Sequence, residues 1–136
     1  MSNEKNAETR TLIETFVAAR DAGDRDRVAA MVTDDVEYVL PASLGIDPLD
    51  GEAAIDALSG ATTGRFFDLS TIKREVSRII VEGEVAAVEQ TMTGTTLEGK
   101  DYANEYVWIY ELRDGKFARL IEHVDTLAAA RTLNLG

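Results

Sequence analysis

The chain has 136 residues, within the usual size of one domain, and 45% of them are hydrophobic, which is enough to form a core. Its formal net charge of −11 at pH 7 argues against nucleic acid or an anionic membrane as the main partner. The absence of cysteine excludes disulfides and thiolate metal sites.

Signals for membrane insertion or export are not evident. No apolar run approaches the length of a transmembrane helix, and residues 1–6 are polar and lack the apolar core of a signal peptide. We therefore expect a cytoplasmic protein. Neither a linker nor an internal repeat is evident, so we expect residues 1–136 to form a single domain.

The chain begins with predicted helices. Apolar residues recur at helical spacing over about residues 7–22, with Arg20 interrupting the apolar series. Gly23 is a suitable C-terminal stop. Asp24 or Asp26 can cap a second, short helix.

The middle of the chain is less regular. Residues 36–40 are strand-like, and residues 42–51 contain two glycines and a proline, which indicates a loop. Residues 52–58 are apolar at helical spacing, whereas residues 61–68 fit no single pattern. The loop over residues 42–51 is a candidate cover for any pocket.

The second half of the chain predicts four strands and a final helix. The strands are expected over residues 71–81, 85–95, 102–112 and 117–125, with an Asp-Gly hairpin signal before the last one. An Ala/Leu-rich segment over residues 126–133 is expected to be helical. Helices followed by a curved antiparallel sheet give an α+β fold with the helices on one face, which makes a cone whose interior is a natural ligand pocket.

Two parts of the sequence carry a family resemblance. The segment over residues 104–125 and the opening segments over residues 16–24 and 34–38 resemble the nuclear transport factor 2-like superfamily. The resemblance implies the same cone-shaped fold and a homodimer. The superfamily contains ketosteroid isomerases, limonene-epoxide hydrolases, SnoaL-type polyketide cyclases, dehydratases and non-catalytic binding domains, so function has to be inferred from the pocket.

The three catalytic positions of the ketosteroid isomerases fall on Leu40, Phe16 and Trp108. None of these side chains can act as the carboxylate base, the tyrosine or the protonated aspartic acid of that family. The resemblance therefore argues against steroid isomerisation and assigns these three residues to the apolar walls of the pocket.

The Asp-Arg-Asp set of the limonene-epoxide hydrolases falls on Thr91, Glu89 and Glu122. Its water-holding tyrosine and asparagine fall on Tyr38 and Leu40. The standard relay is therefore incomplete, and a variant relay with Glu89 and Glu122 is the form of epoxide opening that the resemblance leaves open.

The SnoaL-type cyclases give a simpler match. Their acid/base aspartate falls on Glu122, which keeps a carboxylate, and their partner histidine falls on Trp108, which cannot transfer a proton. The comparisons agree that Glu122 is the residue best placed for chemistry.

Strand alternation supports this assignment. Glu122 shares a strand face with Leu120 and Val124, which predicts a carboxylate directed into the cone. Burial there would raise its pKa and suit it to general acid/base chemistry. The alternative is that this face is solvated.

Strand alternation also bears on Glu89, which shares a face with Val85, Ala87 and Thr91. We therefore expect Glu89 and Thr91 to lie in the cone. There the buried carboxylates of Glu89 and Glu122 would repel each other, which would separate their pKa values. The alternative is that Glu89 pairs with an arginine or reaches the rim.

Aromatic residues are also candidates for the pocket wall. Tyr106 and Trp108 alternate on one strand face with Asn104 and Tyr110, and a central tryptophan can stack on a flat apolar ligand. The alternative is an aromatic stripe in the core or at a dimer interface. Tyr38 can hold a water or a substrate oxygen, or its hydroxyl can lie at the pocket edge.

Metal and cofactor sites are not predicted. The single histidine, His123, alternates with Glu122 and is expected on the opposite sheet face, and no acidic partners stand at ligand spacing. Asp125 is expected to cap the last helix. No phosphate loop or dinucleotide fingerprint is present, so no cofactor is implied.

Our first hypothesis is a cofactor-independent acid/base enzyme acting on a small, apolar, oxygenated molecule. Cyclisation, isomerisation, dehydration and epoxide opening all fit. Glu122 is the predicted acid/base, Glu89 its modulator and Tyr38 a hydroxyl or water holder. The predicted ligand contacts are Phe16, Leu40, Thr91, Tyr106 and Trp108.

The alternative hypothesis is a non-catalytic domain that binds a hydrophobic ligand or mediates assembly. The loss of every complete catalytic set motivates it. Homodimerisation is expected in either case, through the apolar outward residues Val107, Ile109 and Ile121.

Overall fold

The computed structural model describes residues 2–133, in which helices precede most of the sheet, as predicted. The helices are α1 (Ser2–Asp21), α2 (Arg25–Met31), α3 (Gly51–Leu58), α4 (Ala61–Phe66) and α5 (Thr126–Leu133). The strands are β1 (Val32–Val39), β2 (Leu49–Asp50), β3 (Lys73–Glu82), β4 (Val85–Thr95), β5 (Asp101–Arg113) and β6 (Lys116–Val124).

The predicted stop of α1 at Gly23 and the predicted cap of α2 at Asp24 are both present. Gly23 adopts a left-handed backbone with φ of 66°, which ends the helix at little steric cost. Asp24 then caps α2, because its carboxylate accepts a hydrogen bond from the backbone N–H of Arg27 at 3.1 Å. These residues reverse the chain so that both helices pack on the same side of the sheet.

The beginning of α1 extends beyond the predicted start near residue 7. Its first turns are fastened to the β3–β4 turn at Gly83. Asn6 accepts a hydrogen bond from the Gly83 N–H at 2.8 Å, and Thr9 donates one to the Gly83 carbonyl at 2.6 Å. These tertiary contacts explain why the polar first residues are helical despite having no apolar periodicity.

The sheet has the strand order β2-β1-β6-β5-β4-β3. Neighbouring strands are antiparallel except for β1 and β6, which are parallel. Register shifts interrupt β1–β6, β3–β4 and β5–β6, and such bulges bend a sheet. The resulting curved sheet and the helices across its concave face form the predicted cone.

The larger core cluster lies where α1, α2 and α3 meet the concave face. Phe16 is fully buried there, stacked on Phe117 with ring centroids 4.1 Å apart and edge-on to Tyr110 at 6.0 Å. The prediction that Phe16 forms a wall of the pocket is therefore wrong, because its fully buried ring packs within the core and does not line the cavity.

A smaller cluster closes the other end of the cone. Phe67, Met92, Tyr102 and Ala129 are buried together, with α5 packed against the sheet. The space between the two clusters is the cavity described below. Within residues 2–133 no helix is both long and apolar enough to span a bilayer.

We expect Phe16→Ala to lower the free energy of unfolding by about 3–5 kcal/mol, because it removes a fully buried aromatic ring and leaves a cavity. Chemical denaturation measures the change. Leu97→Ala, at a position in the β4–β5 connection that is 64% exposed, is the control and should change stability by less than about 1 kcal/mol. Equal losses in the two variants would contradict this placement of the core.

Candidate functional site

An internal cavity of about 90 Å³ lies between the two core clusters. Its walls come from α1, β1, α4, α5 and the four long strands. The polar side chains around it include Arg20, Tyr38, Arg74, Gln90, Tyr106 and Glu122. Charged and hydroxyl groups therefore meet inside an otherwise apolar enclosure.

Glu122 lies on the inner face of β6 together with Leu120 and Val124, so the predicted face is confirmed. One of its carboxylate oxygens, Oε1, accepts a hydrogen bond from the Tyr38 hydroxyl at 2.8 Å. Burial raises the pKa of Glu122, although the Tyr38 hydrogen bond and the nearby Arg20 and Arg74 charges act in the opposite direction. Its protonated form therefore persists to higher pH than for an exposed glutamate.

Tyr38 is only 5% exposed and reaches Glu122 because β1 runs beside β6, with Tyr38 in register with Leu120. Burial, and then the Glu122 charge, raises the pKa of Tyr38 well above its usual value. Its hydroxyl therefore keeps its proton and acts as a hydrogen-bond donor. The two interpretations left open by the sequence are resolved in favour of a hydroxyl inside the cone.

Trp108 forms the wall between the strands of Glu122 and Glu89, as predicted from the strand order. Its ring lies 5.5 Å from that of Tyr38, and the Arg20 guanidinium lies 4.3 Å from its centroid. The indole N–H is buried without an acceptor among the described residues. A ligand therefore meets an aromatic wall that already carries a cation on one face.

Arg20 was missed as a site residue. It projects from α1 at the position where a polar residue interrupts the apolar series, and that interruption was the available signal. Its Nε donates to the Leu58 carbonyl at 3.1 Å and its Nη1 donates to the Tyr110 hydroxyl at 3.2 Å. These bonds hold a positive charge against the cavity wall.

Arg74 was also missed. It lies on β3 opposite Met92 of β4, and its side chain is 16% exposed. Burial, followed by the Arg20 charge, lowers the pKa of Arg74. No sequence signal marked it, because charged residues stand on both sides of it along β3.

A tyrosine–asparagine network forms the end of the cavity next to α5. The hydroxyls of Tyr102 and Tyr106 are 2.8 Å apart, and the Asn104 amide donates to Tyr102 at 2.8 Å and to the Asp125 carbonyl at 3.0 Å. Burial raises the pKa of both tyrosines. Tyr106 lines the cavity as predicted, and the network joins the sheet to the start of α5.

The remaining predicted contacts divide into two groups. Leu40 lines the cavity as expected. Glu89 and Thr91 do not, because the inner face of β4 carries Val88, Gln90 and other buried residues, and the opposite face is convex. The prediction that Glu89 and Thr91 lie in the cone is therefore wrong.

Glu89 forms an ion pair with Arg78 on the convex face, which was the alternative kept open for it. Alternation misassigned the strand because both of its faces carry apolar residues. Glu89 consequently cannot modulate Glu122 by direct contact, and the cavity has one acidic group at this end rather than a pair.

His123 is exposed on the convex face, as expected, and Asp125 caps α5 by accepting hydrogen bonds from the N–H groups of Leu127 and Ala128 at 3.1 and 3.2 Å. Within the described part of the chain, no three His, Cys, Asp or Glu side chains are grouped as metal ligands.

The cavity is covered on its open side. Leu44 and Ile46 reach it from the segment after β1, Phe66 from α4, and Ala129 from α5. Its volume of about 90 Å³ is smaller than the roughly 150 Å³ cavity that admits benzene in an engineered protein core. A ligand of one ring or more therefore requires part of this cover to move.

The amino-acid sequence matches a known protein family. A model of the SnoaL-like domain family matches residues 13–120. No curated protein sequence matches the chain significantly.

Solved structures resemble the whole chain. A nuclear transport factor 2-like protein from Burkholderia xenovorans is 24% identical with a TM-score of 0.77, covering 95% of this chain and 98% of its own. A Jannaschia protein assigned to the SnoaL-like polyketide cyclases is 21% identical with a TM-score of 0.76, covering 96% of this chain and 92% of its own. An epoxide hydrolase of the limonene-epoxide hydrolase type from M. tuberculosis is 21% identical with a TM-score of 0.72 and the same coverages, 96% and 92%.

We expect Glu122→Gln to become more stable relative to wild type as pH rises. The raised pKa means that the protonated carboxyl group stabilises the fold at low pH, and that this contribution is lost as pH rises through the folded pKa. Glutamine cannot ionise, so the difference should grow as the pH rises from about 4 through the raised pKa of Glu122, by about 1.4 kcal/mol per unit of pKa increase.

Urea denaturation across this pH range measures the effect. Glu89→Gln removes a carboxylate from the convex face and is the matched control for the loss of one negative charge. A Glu122→Gln difference that is constant with pH would show that the carboxyl group is solvated.

Proposed function

From the premise that the chain belongs to the SnoaL-like domain family, we propose that it is a cofactor-independent enzyme of the cytoplasm. It would transfer protons on a small, largely apolar, oxygenated molecule, with Glu122 as the general acid/base.

A buried carboxyl group whose geometry is fixed by a tyrosine carries this proposal. Tyr38 holds one oxygen of Glu122 at 2.8 Å, and the other oxygen, Oε2, accepts no hydrogen bond from residues 2–133. That free oxygen is the atom that would take or give the substrate proton. The raised pKa of Glu122 supports the role, because an acid/base catalyst is most effective when its pKa lies nearer the working pH.

Tyr38 and the cavity walls have supporting roles. As a persistent donor, the Tyr38 hydroxyl orients Glu122 and can share its oxygen with a bound water or substrate hydroxyl. Leu40, Trp108 and Tyr106 would surround the apolar body of the substrate. Excluding water strengthens each electrostatic interaction inside the cavity.

Cyclisation, isomerisation and dehydration each need a proton removed from a carbon atom near oxygen, whereas epoxide opening needs one removed from the attacking water and one given to the epoxide oxygen. Structures described as a polyketide cyclase and an epoxide hydrolase share this fold. The convex position of Glu89 argues for a mechanism with Glu122 alone and against the Glu89–Glu122 relay as a route to epoxide opening.

The second candidate function is non-catalytic binding of a small hydrophobic ligand. The closed cavity and the tryptophan at the place where the SnoaL-type cyclases have a histidine favour it. A binder would keep its function when Glu122 loses its proton-transfer capacity, which separates the two hypotheses.

We expect wild-type protein to accelerate hydrogen exchange at carbon in some members of a panel of cyclic ketones and enols in D₂O. Glu122→Gln should slow this exchange by about 10²–10⁴-fold, because glutamine cannot accept the proton. NMR of the ligand measures the rate, and saturation-transfer NMR shows whether binding persists.

His123→Gln, on the exposed convex face, is the control and should exchange at the wild-type rate. If Glu122→Gln retained the wild-type rate, or if no panel member exchanged faster than in buffer, the binding function would take precedence.

We also propose a homodimer formed through the convex face. Ile80, Val85 and Val107 are 36–54% exposed there, beside the half-buried Ile109 and Ile121. An apolar face of this kind is typical of an interface. Hydrophobic burial between two such faces would drive the association.

In sedimentation at micromolar concentration, we expect wild type at twice the chain mass. Val107→Glu should dissociate the dimer because it places a carboxylate in the interface opposite Glu89. Leu97→Glu, at a 64% exposed residue in the β4–β5 connection, should stay dimeric. A wild-type monomer would refute the dimer.

A further inference from the structure

Two arginines separate the cavity from a second depression on the outside of the protein. This outer cleft has a volume of about 620 Å³ and lies between the end of α1, the α3–α4 turn and the start of β3. Arg20 and Arg74 line both the cavity and the cleft. They therefore stand where a ligand could pass from one space to the other.

Arg74 is poorly satisfied for a largely buried cation. Its Nη1 lies 3.4 Å from an Asp21 carboxylate oxygen and its Nη2 lies 3.5 Å from the Thr63 hydroxyl, both at the long limit of hydrogen bonding. A guanidinium has five N–H donors and does not deprotonate in proteins. Asp21 is itself 41% exposed, so it is a weak counter-ion.

Arg20 adds a second positive charge that cannot move away. Its two hydrogen bonds, to Leu58 and Tyr110, and its position over Trp108 fix the guanidinium. Within residues 2–133 neither arginine forms an ion pair with Glu122, and Asp21 is the one acidic partner of Arg74. Two partly buried cations are thus accompanied by one long ion pair, that of Arg74 with Asp21, which leaves uncompensated positive charge.

Arg20 and Arg74 form a positive site in a protein whose net charge is strongly negative. The formal net charge is −11, so the general surface repels anions. Lys73 also lines the outer cleft, although Glu75 and Asp21 are present there as well. Any preference of the protein for an anion should consequently arise at Arg74 and Arg20.

We propose that Arg74, backed by Arg20, binds the carboxylate of a small cyclic or aromatic acid that enters from the outer cleft. The planar guanidinium matches a carboxylate with two parallel hydrogen bonds. The apolar body of the acid lies beside Trp108, and its reacting end points to Glu122, away from its own negative charge. This names the substrate class of the site proposed above and rests on that cavity being the working site.

Benzoate and benzamide test the proposal, because they share a shape and differ in charge. Trp108 is the sole tryptophan, so its fluorescence reports binding in the cavity. We expect wild type to bind benzoate at least about tenfold more tightly than benzamide. Arg74→Gln should remove this preference, and Arg74→Lys, which keeps the charge without the planar fork, should retain part of it.

Arg78→Gln is the matched control, since Arg78 lies on the same strand but pairs with Glu89 on the convex face. It should bind benzoate as wild type does. The proposal is overturned if wild type binds the two probes equally, if benzoate does not bind at millimolar concentration, or if Arg78→Gln loses as much affinity as Arg74→Gln.

Glu122→Gln distinguishes this inference from the enzyme proposal. Removing the nearby negative charge should strengthen benzoate binding a few-fold while abolishing exchange in D₂O. If exchange is lost but benzoate and benzamide bind equally, the carboxylate site fails and the enzyme proposal stands. If the benzoate preference holds and exchange is unaffected by Glu122→Gln, the enzyme proposal fails and the carboxylate site stands.

Discussion

The parallel pairing of β1 with β6 determines how the interior of the cone is used. It places Tyr38 beside the strand that carries Glu122, so that a buried hydroxyl supplies the hydrogen bond that a buried carboxylate needs. Without that donor, the burial that raises the Glu122 pKa would leave an unpaired charge in an apolar space. This hydrogen-bonded pair lies inside the cavity that the curved sheet and its cover enclose. Arg20 and Arg74 line the same cavity.

Much of the fold was predictable because local signals and burial agree. The bounds of β4 and α5 match the predicted segments, and the Asp24 cap, the Gly23 stop and the Asp125 cap act as their residue types suggest. The face of Glu122 was predictable since its neighbours Leu120 and Val124 are apolar. The opposite outcome for Glu89 has a physical cause: β4 carries apolar residues on both faces, so alternation alone cannot identify the buried one.

The charges of the site were harder to predict because they come from distant segments. Arg20 on α1 and Arg74 on β3 meet only when the sheet curls under the helix, and the Arg74 position has no periodic signal. The resemblance used for the strands placed the arginine of the epoxide hydrolases at Glu89, whereas the fold supplies two arginines from elsewhere. The interior therefore combines one acid, Glu122, with two cations.

The attachment of α5 gives the cavity a dynamic property. This helix has eight residues and is held at its start by the Asp125 cap and by the Asn104 bond to the Asp125 carbonyl. A helix of that length is not stable in water by itself, so undocking it also unwinds it. Opening the cavity on this side is thus a small unfolding event. Amide protons of α5 would then exchange through this fluctuation, and the extra room that a ring-sized ligand needs would become available at a rate governed by the local stability of the helix.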